Sequence, residues 1–285
     1  MVKKLSVIII TYNEAKKIRA CLESVRWADE IIIFDSLSKD ATLKIAREFT
    51  DKIFQRSWSC YGEQKNIAAS HAQGEWILFL DADERVSEPL VAEIKKVINN
   101  NSLPYDGYDM PRQLFYLNRL VRYGEWSVDL KLRLIRKGAG MWSQARVHEE
   151  LILDGPLGHL HGPILHHSYD SIALHIKKLN RYSSLYAMDL FDCRAPFRFS
   201  QIVMLPFSRF TEGYFLNKGF LDGIIGFWVA LMQSCEVFLR YVKLLILIVK
   251  HIPTGKSDKV ATDIHVYRRT IKNLNTRTYE IITTQ

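Results

Sequence analysis

The sequence predicts an α/β fold built on a mostly parallel, doubly wound sheet, and three observations carry that expectation. Short apolar, β-branched runs alternate with helical patterns through the first hundred residues. The runs are apolar at successive positions, and three of them end on polar residues, at Thr11, Asp35 and Asp81. Strands apolar on both faces belong between two helical layers, as in parallel sheets. Ligands of such sheets sit in the crevice at the strands' carboxyl ends, so the three polar termini mark a candidate site.

Each element follows from local pattern. Residues 5–10 are a β-branched run too short for a helix, followed by Thr11-Tyr12-Asn13-Glu14. Residues 15–25 place Ile18, Leu22 and Val25 at helical spacing. Residues 30–34 form a second strand ended by Asp35, and Asp40 caps a helix running to Phe49. A short strand near Ile53 precedes a helix through His71, stopped by Gly74. Residues 76–80 are a third apolar strand that runs into Asp81-Ala82-Asp83, and residues 87–99 read as a helix with Ser87 as cap and Pro89 in the first turn. Residues 107–112, 131–136 and 164–167 read as shorter strands between loops rich in Trp, Arg and His, and residues 171–191 as a helix. From about Phe197 the chain turns apolar and aromatic, then basic after Lys250. The expected organisation is a domain over residues 1–195, with halves 1–100 and 101–195, and a helical extension over 196–285.

At 48% hydrophobic and 25% charged, the 285 residues have globular composition, which excludes disordered and fibrous classes. The formal charge of +8 points to an anionic partner, such as nucleic acid, anionic lipid, a phosphorylated saccharide or a nucleotide. Cys21, Cys60, Cys193 and Cys235 form no C-x-x-C pair and read as free thiols rather than a zinc site or a disulfide framework. No apolar leader with a cleavage site precedes the first strand, so the expected compartment is the cytoplasm. No nucleic-acid reader motif accompanies the basic charge.

Asp81-Ala82-Asp83 is the most informative triplet. In extended chain, alternate side chains share a face, so both carboxylates can meet one hard cation. Mg²⁺ or Mn²⁺ is held in this way by one or two carboxylates, with phosphate oxygens completing its shell.

Residues 6–14, Asp35 to Thr42, Gln64-Lys65-Asn66 and residues 74–84, taken in this order and spacing, resemble the inverting family-2 glycosyltransferases of the A-type fold. Trp142 and Val147-His148-Glu149-Glu150 further resemble the subgroup that adds sugars to the lipopolysaccharide inner core, related to β-1,4-glucosyltransferases. The resemblance implies that the 1–100 half takes a UDP-sugar donor and the 101–195 half the acceptor. Thr11, Tyr12 and Glu14 would line the nucleoside pocket, Asp35 would accept from the base, and Lys65 would lie near the phosphates or the base. Asp81 would meet the ribose or the metal, and Asp83 the metal directly. Inversion requires a base across the sugar from the leaving group. Glu149 and Glu150 are both candidates, because this chain has Glu-Glu where the family commonly has Glu-Asp. The implied acceptor is a lipopolysaccharide core glycolipid, with polyprenyl phosphate as the alternative, and the implied sugar is glucose. A catalytically silent scaffold of the same fold is the reading from a different class.

His148, His159, His161, His166 and His167 crowd twenty residues, and one is expected as a further metal ligand, imidazole favouring Mn²⁺ over Mg²⁺. Arg112, Arg119, Arg122, Arg133, Arg136 and Arg146, interleaved with Tyr116, Tyr123, Trp126 and Trp142, suit a phosphorylated saccharide. In residues 223–250, Gln233, Glu236, Arg240 and Lys243 share one narrow polar stripe on an otherwise apolar helix. The charges interrupt the run before it reaches spanning length. The expectation is an in-plane helix on an anionic membrane surface, aided by basic residues between Lys250 and Arg277. Its competitor is a helix docked on the catalytic domain or in an oligomer interface.

Overall fold

The computed structural model describes residues 3–100, 102–127, 129–143 and 149–251. The first half runs β1 (Leu5–Thr11), α1 (Ile18–Ser24), β2 (Glu30–Asp35), α2 (Thr42–Ala46), β3 (Ile53–Gln55), α3 (Tyr61–Ser70), β4 (Trp76–Asp81), β5 (Glu84–Val86) and α4 (Glu88–Ile98). The second adds β6 (Gly107–Tyr116), β7 (Arg119–Leu120), β8 (Leu130–Arg136), β9 (Gly140–Trp142), β10 (Leu151–Leu153), β11 (Leu157–His159) and β12 (Ile164–Tyr169). Three α-helices close the described chain, α5 (Ile172–Asp192), α6 (Ser200–Thr211) and α7 (Gly223–Lys250), with a π turn over Glu212–Leu216 and a 3-10 turn over Gly219–Asp222 between the last two.

The main sheet has the order β3-β2-β1-β4-β8-β6-β12-β5. Its first four strands are parallel. Beyond β4 it becomes mixed, with β8 antiparallel to both β4 and β6, and β12 parallel to β6. Two apolar layers bury it. Leu5, Val7 and Ile9 pack with α1 and α4 on one face, while Ile8, Ile10 and Phe79 pack with α3 and Trp142 on the other. That odd-even split of β1 is why its run reads as continuously apolar. The register sets Thr11 beside Asp35 and Ile10 beside Asp81, so the three polar strand ends meet at one edge, as expected.

Two expected elements differ in detail. The helix after β2 is shorter than 40–49 and has Ala41 at its cap position. Asp40 still serves it, its Oδ1 accepting from the Thr42 N–H at 3.0 Å. Ser87 caps α4 as expected, accepting from Leu90 N–H at 3.4 Å.

The polar stripe of α7 faces α5 rather than a solvent or lipid phase. Lys243 Nζ donates to Asn180 O at 2.7 Å and to Ser183 Oγ at 2.8 Å. Arg240 pairs with Glu236 at 2.7 Å and lies 4.0 Å from the centroid of the Tyr186 ring. The docked-helix alternative therefore describes this stripe, with four acceptor atoms of Asn180, Ser183 and Ser184 on α5 around the Lys243 ammonium. Among the described residues, no helix is long and apolar enough to cross a membrane. The basic residues expected to aid membrane binding lie, apart from Lys250, outside the described residues.

Buried His175 of α5 packs among Tyr116, Trp126 and Tyr169, and burial lowers its pKa to about 4 from an ordinary 6.5. The unfolded chain therefore binds the proton first. Stability should fall as pH drops from about 6.5 and level off near 4. Denaturant midpoints against pH check this, and His175→Gln should flatten the step.

Candidate active site

The loops after β1 and β2 interlock at the strand edge. Asp35 is fully buried, and its carboxylate accepts from Ser38 N–H at 2.8 Å, Ser38 Oγ–H at 2.5 Å and Gln55 Nε2 at 3.0 Å. These bonds hold Leu37 in the left-handed region at φ +64°, a conformation costing a branched residue roughly 1–2 kcal/mol. A carboxylate offers about four acceptor positions, so these three bonds leave one unfilled. Asn13 crosses to the second loop, its N–H donating to Ser38 Oγ and its Oδ1 accepting from Lys39 N–H, both at 2.8 Å. Beside them Thr11 Oγ1 is buried without a hydrogen-bond partner, while Tyr12 is exposed at the rim. Burial, then the charge of Asp83, pushes the Glu14 carboxyl up to about 7.

Asp81 and Asp83 sit in different basic surroundings. Asp81 Oδ1 lies 3.2 Å from Lys65 Nζ and its Oδ2 lies 3.1 Å from Arg133 Nη2. Burial opposes its ionisation, yet Lys65 and then Arg133 hold it well below the ordinary carboxylate range. Asp83 faces His166 Nε2 at 3.3 Å, Lys178 Nζ at 3.9 Å and Lys17 Nζ at 4.0 Å. Burial again raises its pKa, and His166 and Lys178 outweigh that, bringing it to about 2.

Lys65 is the hinge of the site. Although only 1% exposed, it lies 3.2 Å from Asp81 and 3.0 Å from Glu149 Oε1, and 4.1 Å from the centroid of the Trp142 ring. Helix α3 sets this up with neighbouring residues. Asn66 clamps the backbone of Trp142 from both sides, donating to its C=O and accepting from its N–H at 2.8 Å each. Gly62 lets Ser143 approach so closely that a Cβ would meet the Ser143 O at 1.8 Å. Lys65 and Asn66 thus join the two halves of the domain, holding Glu149 and Trp142 against α3. Glu149 turns inward to Lys65, whereas Glu150 is exposed and bonds Ser143 through its backbone, as adjacent residues of extended chain do. Val147 and His148 lie outside the described residues, as does Arg146.

Among the described histidines of this segment, His166 is the one that reaches the Asp81-Asp83 pair. His159 pairs with Asp109 at 2.6 Å, and His167 stacks on Phe115. Among the described residues no three His, Cys, Asp or Glu side chains are close enough together to enclose an ion unaided. The donor set nevertheless fits a cation whose shell is completed by phosphate. Asp83 Oδ1 and His166 Nε2 stand 3.3 Å apart, about one edge of an octahedral shell, while Asp81 Oδ1 is held by the charge of Lys65 at 3.2 Å without a bond of hydrogen-bond geometry.

The expected arginine clamp is largely spent inside the protein. Arg133 is 3% exposed and bridges Asp81 and Glu84, while Arg112 pairs with Asp129 at 2.5 Å and with Glu84 at 3.4 Å. Arg136 is at the other end of β8, over Trp76. Glu84, fully buried, accepts from Arg133 at 3.1 Å and from the Asp81 N–H at 2.9 Å, so it braces the acidic turn. Sequence reasoning missed Glu84 as a brace, although it follows Asp83 directly, and it missed Lys17 and Lys178, whose pattern reads as a solvated face. Glu84→Ala would leave Arg133 buried with half its charge balance, lowering stability by about 3–5 kcal/mol in a denaturant titration.

Comparison with known proteins agrees with this geometry. Residues 6–137 match the family model of glycosyl transferase family 2. An uncharacterised glycosyltransferase of Rickettsia typhi is 28% identical over 284 residues, covering 95% of this chain and 96% of its own. The lipopolysaccharide core biosynthesis glycosyltransferase LpsC of Rhizobium meliloti is 29% identical over 251 residues, covering 84% and 91%. Among solved structures, S. aureus TarS 1-349 in complex with UDP-GlcNAc is similar at 13% identity and a TM-score of 0.44, covering 89% of this chain and 94% of that one. That likeness is too slight to carry an argument about ligands. The matched segment holds β1 to β8 and with them Thr11, Asp35, Lys65, Asp81 and Asp83: over these residues the chain is similar to glycosyl transferase family 2, on an α/β fold.

Proposed function

We propose that this protein is an inverting hexosyltransferase that moves a sugar, glucose in the first instance, from a UDP-sugar to a lipopolysaccharide inner-core saccharide. The observation that carries the reading is the Asp81–Lys65–Glu149 chain, which ties the strand-end carboxylates of the donor half to a carboxylate of the acceptor half. LpsC, named for lipopolysaccharide core biosynthesis and matched over most of both chains, supports the acceptor class.

In this reading Thr11, Tyr12, Glu14 and Asp35 hold the nucleoside, the remaining Asp35 lone pair accepting the base N–H. Asp83, with His166 and Asp81, would hold Mn²⁺ or Mg²⁺, whose Lewis acidity neutralises charge on the leaving diphosphate. Glu149 takes the proton of the acceptor hydroxyl as its oxygen attacks the anomeric carbon. The bond from that carbon to the diphosphate oxygen breaks on the opposite face, so configuration inverts. Lys65, 3.0 Å from Glu149 Oε1, aims the carboxylate, and the Trp142 ring packs against the Lys65 ammonium. Glu150, exposed, has no part in the proton transfer.

The test is transfer from labelled UDP-glucose to a deacylated core oligosaccharide, with and without chelator, reading the anomeric configuration by NMR. The expected product is β-linked and absent under chelation. An α-linked product would contradict inversion, and undiminished transfer under chelation would contradict the metal.

A further inference from the structure

Phe199 at the cap of helix α6, and Val203 and Phe207 within it, stand at four-residue spacing on one stripe and are 73%, 66% and 67% exposed. The turn into α7 continues this apolar surface with Leu216 and Leu221, and the first turn of α7 adds Ile224, 76% exposed. Isolated exposed apolar residues are ordinary, but a run of large ones along one hairpin marks a contact surface. The hairpin is ordered from within by rings: Phe210 and Tyr214 stack, and both meet Phe227 edge-on. These outer side chains are therefore displayed by a built structure.

Helix α7 is apolar nearly all round: Val229, Ala230, Met232, Val237 and Leu244 are buried against the protein, yet large apolar side chains remain outside. Its Lys243, Arg240 and Glu236 turn to α5, while Phe227, Phe238 and Val249 are exposed. Polar groups kept on protein acceptors, with apolar groups outward, suit a low-dielectric environment outside the protein.

The charges at the margin choose the occupant. Arg194, Arg198 and Lys218 are exposed. The acids nearby are engaged: Glu212 faces Arg209 at 3.7 Å, and Asp222 accepts from the Arg122 and Tyr123 N–H groups at 2.9 and 2.8 Å. An isologous second copy would set like cations against each other, whereas anionic headgroups complement them. Residues 252–285 add six Lys and Arg against three Asp and Glu, so the charge that follows α7 in the chain has the same sign.

We infer that the α6–α7 hairpin seats the protein on an anionic bilayer, with Phe199, Phe207 and Leu216 entering the headgroup boundary. The inference deepens the proposed function, because an acceptor anchored in a bilayer must be met at its surface.

The test is co-sedimentation of the full chain with phosphatidylcholine vesicles, with and without phosphatidylglycerol, for the wild type and a Phe199→Ser/Phe207→Ser/Leu216→Ser variant. The wild type should pellet with the anionic vesicles and less with the neutral ones. The variant should partition on the order of 100-fold less, with an unchanged melting temperature and unchanged transfer to the soluble core oligosaccharide. A wild type that stays in the supernatant with both vesicles, or a variant that binds as tightly, would overturn the inference. So would a vesicle-free wild-type dimer that the variant dissociates, which would assign the surface to a second copy. Failure of transfer to the soluble oligosaccharide by the wild type would instead count against the proposed function alone.

Discussion

Glu149→Gln is expected to lower kcat by about 100- to 10,000-fold, the usual worth of a positioned general base. Nucleotide-sugar affinity should change little, because the substituted group lies on the acceptor side of Lys65 and the Gln still offers Lys65 an oxygen at the same place. Lys65 keeps its second partner, Asp81 at 3.2 Å, so no buried cation is stranded. Glu150→Gln should stay within a few-fold of wild type, since Glu150 is exposed and anchored through its backbone. Steady-state kinetics on both variants check the pair. Equal losses at the two positions would mean that the loop after β9 repositions in the working complex and that the base is not assigned by its contact with Lys65.

Asp83→Asn should cost on the order of 1,000-fold or more in kcat/KM, equivalent to several kcal/mol of charge stabilisation at the leaving group. Two readouts separate this from simple damage. The wild type in chelator should show a loss of similar size, and the variant should respond weakly to added Mn²⁺. Asp83 also balances His166, Lys17 and Lys178, so a circular dichroism melt accompanies the kinetics. A variant that remains folded and retains cation-stimulated activity would remove Asp83 from the metal site.

The elements most legible in the sequence were those whose pattern is set by burial on both faces. Strands β1, β2 and β4 appear as unbroken apolar runs because the sheet has a core layer on each side, and their polar ends stand out against that background. Helix α4 was legible at its start because Ser87 and Pro89 specify a cap without tertiary help. Strands β5, β7, β9, β10 and β11 were not, since two or three residues cannot display alternation. The parallel first half was legible, but the mixed second half depends on long-range pairing of β8 with β4 and β6, which leaves no local trace.

The site divided along the same line. Residues on strand ends were readable, because their position follows from the strand. Residues whose role depends on what packs opposite were not. Lys17 and Lys178 look like solvated lysines until Asp83 is placed between them, and Arg133 looks like a substrate ligand until Glu84 is found beneath it. The pair Glu149 and Glu150 could not be separated by sequence, since neighbouring residues of extended chain take opposite faces and only the Lys65 contact marks the inner one. On α7 the polar stripe was legible, whereas its direction was a matter of partners: α5 supplies acceptors for Lys243 that periodicity does not reveal.

The central claim is that the strand-end carboxylates form a cation-assisted UDP-sugar site. Isothermal titration of the folded protein with UDP-, GDP- and ADP-sugars, with and without Mn²⁺ or Mg²⁺, tests it most directly. The account predicts saturable binding of a UDP-sugar that strengthens with the cation and loses that dependence in Asp83→Asn. Absence of binding to every nucleotide sugar, by protein whose melt shows it folded, would contradict it.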